Sequence, residues 1–243
     1  VLGGIIEKLT GKSYQENLST RITSRIGIKN TMYGGKINHA SNEASSFESE
    51  DGKWVMLPET DMSIPHGAGA VISSTPDLTL FITALFDGKL LNENSLKSMT
   101  TMKDGFGLGT FKIPFYDRSA FGHNGGIDGF SSSLAYFPEE KVAIAFCSNG
   151  MNYPMNDILI GLLSCYFDKP YKIPDFKTVA ISADKLSAYE GEYTSEQLPL
   201  VITVKQDGGR LTAQATGQPS FPLDAISESE FRFDQAGIVM IFN

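Results

Sequence analysis

Phe121-Gly122-His123-Asn124-Gly125-Gly126-Ile127-Asp128-Gly129-Phe130-Ser131-Ser132-Ser133-Leu134-Ala135-Tyr136-Phe137-Pro138 sets four glycines and a histidine between runs that read as β-strands. Upstream, Phe106 to Ile113 mixes aromatic and β-branched residues with glycine. Downstream, Ser131 to Phe137 and Val142 to Cys147 are strand-like, and Pro138-Glu139-Glu140-Lys141 between them is turn chemistry. The whole reads as an antiparallel meander. Glycine weakens a strand interior unless another backbone or a ligand comes close. Gly125-Gly126, which follow His123 and Asn124, therefore mark a place where a substrate meets the sheet.

Helical patterns surround this meander. Leu2, Ile5, Ile6 and Leu9 recur at helical spacing with Gly11 as the stop, and Tyr14 to Arg25 continues with Leu18, Ile22 and Ile26 ahead of Gly27. Thr75-Pro76 reads as an N-cap followed by proline at the first helical position, where a missing N–H costs nothing. Leu78, Phe81, Ile82, Leu85 and Phe86 then give an amphipathic helix closed by Gly88. Asn92 to Met102 predicts a short helix, and Met155 to Phe167 a helix that could cover the sheet. Helices, loop, helices, antiparallel strands, helix is α+β order: an antiparallel sheet covered by helices.

Two stretches break the pattern. From Thr31 to Pro65 no period is sustained, and Ser41 to Asp51 reads as exposed loop. Trp54 within it is either an aromatic that pins the loop to the core or a platform for substrate. Asp168 to Asp175 carries two prolines and mixed charge, as a linker does. Beyond Ser182, Tyr189 to Tyr193, Leu200 to Val204, Arg210 to Ala215 and Glu230 to Phe233 read as short strands, with Asp207-Gly208-Gly209 a hairpin signal. The expected division is 1–172 and 173–243, the second part a small antiparallel β-barrel-like domain. Its open barrel end would leave an edge strand in need of a partner.

The totals exclude several classes. A formal charge of −8 disfavours nucleic acid, whose binding depends on neutralising phosphates. No run approaches the roughly 20 apolar residues of a membrane helix. Cys147 and Cys165 do not make a disulfide framework; they could pair with each other, but separate buried thiols is the favoured reading. His39 and His66 show no ligand spacing with His123 or a cysteine, so neither a metal nor a cofactor is expected. Val1 falls inside a helical pattern and Asn243 follows an apolar run, so the sequence reads as a fragment cut at both ends.

Three segments carry a family resemblance. Gly122-His123-Asn124-Gly125-Gly126 resembles the Lys-Thr-Gly or His-x-Gly motif of class C β-lactamases and penicillin-binding-protein-like serine hydrolases. His66 to Leu78, with Ser73-Ser74-Thr75-Pro76-Asp77, is similar to that family's Gly-Gly-Leu-x-Ser-Thr-x-x-Asp-Leu segment, and Leu2 to Tyr14 to the helix after its Tyr-x-Asn motif. The order is the family's, over roughly residues 1 to 170. The resemblance implies a β-lactamase/transpeptidase-like domain with its N-terminal part missing, followed by a partial lipocalin-like domain. It also implies a serine hydrolase acting by acyl transfer on a small peptide, lactam or ester, in the bacterial cell envelope or secreted. The alternative is a non-catalytic binding or scaffold protein that keeps the fold.

By motif match, His123 takes the place of the family's third-motif lysine or histidine, and Gly126 that of the residue whose N–H completes the oxyanion hole. Such donors are worth roughly 3 kcal/mol each. A side chain at Gly126 would crowd the substrate carbonyl. Asn124, Gly125 and Ile127 would line the strand edge that pairs with substrate main chain. The family's Ser-x-x-Lys nucleophile and Tyr-x-Asn motif would lie before Val1. The one literal match, Ser182-Ala183-Asp184-Lys185, reads instead as an N-cap serine and a solvated lysine after the linker.

Overall fold

A computed structural model of the chain describes residues 1–50, 52–196 and 198–243. It forms two compact units, Val1–Met151 and Asn152–Asn243. The first opens with α1 (Leu2–Thr10), ended by Gly11 at φ 67°, the left-handed geometry glycine adopts without strain. A capping box starts α2 (Tyr14–Leu18): Ser13 Oγ accepts from the Glu16 N–H, and the Glu16 carboxylate accepts from the Ser13 N–H. The helix continues through a π turn, Ser19–Thr23, into α3 (Ser24–Ile26), so the helix expected from Tyr14 to Arg25 is present.

The aperiodic stretch is more ordered than its sequence suggests. It holds β1 (Met32–Tyr33), β2 (Phe47–Glu50) and β3 (Lys53–Met56), and β2 pairs with β3 as an antiparallel hairpin. Phe-Glu-Ser-Glu in β2 offers only one apolar residue, too few to reveal a strand period. Asp51, in the expected exposed loop, lies outside the described residues. β4 (Val71–Ile72) pairs with β1. Next, α4 (Thr75–Phe86) is capped by Ser74 rather than by the expected Thr75, its hydroxyl accepting from the Asp77 N–H at 3.4 Å. The buried Asp77 carboxylate accepts from the Asn30 N–H at 2.7 Å and the Thr31 hydroxyl at 2.9 Å. A Ser-Ser-Thr-Pro-Asp segment thus ties a helix start to the chain leading into β1. Asn92 caps α5 (Glu93–Thr100).

The meander forms as read, except at its start. β5 (Phe111–Phe115), β6 (Arg118–Ile127), β7 (Phe130–Phe137) and β8 (Val142–Ser148) make one antiparallel sheet in that order. The expected strand from Phe106 begins only at Phe111. Ahead of it Gly107 donates to the Thr110 carbonyl at 2.7 Å and Leu108 to the Met99 carbonyl at 2.9 Å, which turns the chain away toward α5. Pro114 is tolerated because β5 is an edge strand. α4 packs on β7 and β8, its Phe86 ring stacked 4.6 Å from Tyr136. On the opposite face Ala120, Ala135 and Phe137 are buried as well, so the sheet is apolar on both sides.

The second unit contains α6 (Met155–Tyr166), α7 (Ala183–Ser187) and a six-stranded antiparallel meander. Its strands are β9 (Gly191–Ser195), β10 (Leu198–Asp207), β11 (Arg210–Ala215), β12 (Phe221–Ala225), β13 (Glu230–Phe233) and β14 (Ile238–Ile241). The sheet curls. Phe242, just past β14, stacks 4.5 Å from Tyr189 and meets Tyr193 of β9 at 5.5 Å, over a core of Leu186, Val204, Leu211, Leu223 and Phe231. β12 has no counterpart in the sequence reading because Pro222 hides it. Ser182 takes the N-cap position of α7 as expected, though without a side-chain cap bond, and Lys185 is not simply solvated but pairs with Glu228. Cys147 and Cys165 are free, as expected, but exposed rather than buried.

Candidate active site

The residues singled out in the meander fall together on one strand. His123, Asn124, Gly125 and Gly126 are consecutive exposed positions of β6, followed by half-buried Ile127. β5 pairs with β6 only as far as Phe111 opposite Gly122, so beyond Gly122 this side of β6 has no strand partner among the described residues. On the other side β6 is paired with β7 through Ile127 opposite Phe130, with Asp128-Gly129 as the two-residue turn. That closing pair is a hydrogen-bonded one, and antiparallel alternation then turns the N–H and C=O of Gly126 and Asn124 away from β7. They face the open edge.

His123 is held at that edge. Its Nδ1 contacts the Asn124 carbonyl oxygen, and its ring lies 4.9 Å from the Phe111 ring. A carbonyl only accepts, so Nδ1 carries the proton. In the neutral imidazole Nε2 is then left with its lone pair as an acceptor.

The glycines divide by cause. A Cβ on Gly122 would stand 2.0 Å from the Leu134 carbonyl oxygen, and one on Gly129 2.4 Å from that of Phe47, so the fold itself requires glycine at both. At Gly125 a Cβ would meet only the Ser132 hydroxyl, at 2.6 Å, a group that can rotate. At Gly126 the nearest atom would be 3.9 Å away. No described residue crowds that position. The expected clash with a substrate carbonyl therefore has no counterpart within the chain's own packing.

What positions the edge lies mostly in the long loop. Asp128, at a strained φ of 50°, accepts from the Thr60 hydroxyl at 2.6 Å and the Thr60 N–H at 3.1 Å. The Gly129 N–H donates to Ser46 Oγ at 3.1 Å, and the Phe47 N–H to the Asn149 carbonyl at 2.7 Å. These tethers escaped sequence reading; the Asp-Gly pair marked a turn but not its partner. Trp54 stands on Gly150, where a Cβ would lie 2.8 Å from the indole, so one face pins the hairpin to the sheet while 51% of the residue stays exposed. With Phe47, Asn149 and Gly150 it lines an open cleft of about 290 Å³.

The other two resembling segments pack against each other. His66 lies 5.2 Å, ring to ring, from Tyr14 and 3.6 Å from the Glu7 carboxylate, and a Cβ on Gly67 would sit 3.2 Å from Gly3 Cα. His39 bonds within its own loop, Nδ1 to the Glu43 carbonyl at 3.0 Å. Among the described residues no group of three His, Cys, Asp or Glu could hold a metal ion.

Comparison with known proteins agrees with this arrangement. The family model described as Beta-lactamase matches residues 1–161. The chain belongs to that family. Penicillin-binding protein 4* of Bacillus subtilis (strain 168) is 25% identical, across 95% of this chain and 57% of that protein. The octameric penicillin-binding protein homologue of Pyrococcus abyssi superposes with TM-score 0.60 at 22% identity, over 95% of this chain and 55% of that one. The D-stereospecific amidohydrolase of a Streptomyces species gives TM-score 0.54 at 27% identity, over 61% and 47%. The chain thus spans about half the length of the relatives it matches. Relatives of this fold include hydrolases of amide bonds. No helix among the described residues is long and apolar enough to cross a membrane.

Proposed function

We propose that this chain supplies the third-motif strand of a serine hydrolase that works through an acyl-serine. The single observation that carries the reading is the open edge of β6, where an exposed histidine and a backbone stretch with no strand partner on that side among the described residues adjoin a glycine that packing does not require. A serine Oγ, activated by a lysine and tyrosine from Ser-x-x-Lys and Tyr-x-Asn motifs preceding Val1, adds to the substrate carbonyl. The Gly126 N–H donates to the resulting oxyanion. The leaving group departs with a proton, and water cleaves the acyl-serine to the acid. His123 Nε2 accepts a hydrogen bond at the tyrosine–serine pair or, when the ring is protonated, donates to a substrate carboxylate. Asn124, whose N–H and C=O face the open edge, aligns the substrate main chain, while Gly125 and Ile127, whose backbone groups face β7, hold the strand in register.

The likeness to a D-stereospecific amidohydrolase favours amides of D configuration over lactams and esters. The penicillin-binding relatives favour a cell-envelope setting. Residues 1–172 form the β-lactamase-like part and 173–243 a lipocalin-like one, on the same reading. The test is the intact mass of the full-length gene product before and after a serine-reactive acylating probe. A single adduct is expected, formed at least tenfold more slowly in His123→Ala. Absence of an adduct on the folded full-length protein would overturn the enzyme reading, and unchanged acylation in the variant would overturn the role of His123.

A further inference from the structure

The lane beside β6 has one closed end. Beyond Gly122 it is open, yet at Gly122 it is filled by Phe111, whose ring also leans on His123 at 4.9 Å. Phe111 is rigidly placed. The preceding turn is closed by the Gly107 N–H on the Thr110 carbonyl at 2.7 Å and tied to α5 by two bonds to the Met99 carbonyl, from Leu108 N–H at 2.9 Å and Thr110 Oγ at 3.1 Å. Gly107 itself has no room for a Cβ, which would stand 2.3 Å from that same carbonyl. The bridge between Phe106 and Phe111 makes the wall two residues thick. Toward Ile127 the strand ends in a turn and β5 supplies no such wall.

We infer that Phe111 is a specificity determinant that limits substrate length on the His123 side of the reacting bond. This rests on the hydrolase reading above. A chain laid along β6 with its reacting carbonyl opposite Gly126 advances about 3.4 Å per residue. Four positions along, opposite Gly122, it would coincide with Phe111. The lane therefore holds no more than about three further residues on that side, and the opposite side carries no such limit from β5.

The test uses the full-length protein and two series of N-acetylated D-alanine oligomers. One is lengthened at the amino end and the other at the carboxyl end of a common cleaved bond. In wild type, kcat/KM is expected to fall at least tenfold once one series passes about three residues, while the other stays level; which series falls reports the polarity of the bound chain. Phe111→Ala should bring the long-to-short ratio in the falling series back within threefold of unity, as should Phe111→Leu in part if the smaller variant folds poorly. The ratio is taken within each variant, so a general loss from disturbing His123 cancels. Level ratios in both wild-type series, or a cut-off unmoved in both variants, overturn the proposal while leaving the hydrolase reading intact. If no oligomer is cleaved, the hydrolase reading fails and calorimetric binding of the same oligomers decides the wall. Length-limited binding that Phe111→Ala relieves supports it, and length-independent binding or none overturns it.

Discussion

Replacing Gly122 and Gly126 by alanine, one at a time, should give stability changes of opposite sign. At Gly122 the new Cβ would stand 2.0 Å from the Leu134 oxygen and 2.9 Å from Ala135 Cα, both backbone atoms of the paired strand. Ordinary contact begins near 3.4 Å, so β6 and β7 must separate where the sheet is buried on both faces. Forced overpacking of this kind costs about 1–3 kcal/mol. For a unit of this size each kcal/mol moves Tm by about 2–4 °C, so Gly122→Ala should lower it by about 2–12 °C. At Gly126 the nearest atom is 3.9 Å away and φ is not positive, so alanine fits. There the loss of unfolded-state freedom stabilises by about 0.4–1 kcal/mol, a rise of about 1–4 °C. Thermal melts followed by circular dichroism read both. A drop in Gly126→Ala comparable to that in Gly122→Ala would refute the claim that packing leaves Gly126 free. The bulkier Gly126→Val should still fold, and in the full-length protein it should slow acylation at least tenfold, because its added bulk crowds the carbonyl proposed to sit against the Gly126 N–H.

Other expectations follow from the same structure. Thr60→Ala should cost about 1 kcal/mol, the low end for a bond to an exposed carboxylate, and should speed amide hydrogen exchange across β2, β3 and the Asp128 turn; unchanged exchange there would mean that the tether is idle. The Ser13 bonds hold the Glu16 carboxyl below its ordinary value of 4.5. A depressed folded value stabilises above the unfolded one, so this contribution is present above about pH 4.5 and fades as pH falls through the lower value. Carbon-detected titration should show Glu16 returning toward 4.5 in Ser13→Ala, and an unmoved midpoint would count against the capping box. Phe231→Ala, at a fully buried site, should destabilise the second unit by about 3–5 kcal/mol, read by chemical denaturation of its β-signal; a loss under 1 kcal/mol would mean that this core collapses to fill the void.

The elements read well where local pattern and packing ask for the same residues. β7 and β8 belong to a covered sheet and are separated by a polar turn, and their sequence bounds, Ser131–Phe137 and Val142–Cys147, fall within a residue of the strand ends. The helices announced themselves by caps, with Gly11 and Gly27 both left-handed where they were expected to stop. β2 and β12 did not. One is mostly polar and the other holds a proline, Pro222, which lies just outside the residues that pair with β13. For the site, the sequence singles out the residues from His123 to Ile127; the reason it offers for glycine at Gly126 concerns a substrate, and packing of the described residues supplies no other. It was also silent on Phe111, which looks like any strand aromatic until the register shows β5 stopping beside His123.

That silence has a physical source. The groups with chemistry to offer are adjacent in the chain, while the groups that aim them are not. Asp128 is held by Thr60 and Gly129 by Ser46, partners 68 and 83 positions away. No local period encodes such pairs, because a hydroxyl that accepts from one buried N–H needs nothing from its own neighbours. The arrangement makes the long loop a lever on the strand edge. Ser46→Ala would leave the Gly129 N–H without its acceptor in a turn that already holds Asp128 at positive φ, so strain there can relax only by shifting the tip of β6. Since Gly126 lies two residues from Asp128, such a shift reaches the reacting position before it reaches the covered part of the sheet. Loop substitutions at Ser46 and Thr60 are therefore expected to lower acylation in the full-length protein more than they lower Tm. The reverse ordering would mean that the edge is positioned by the sheet alone.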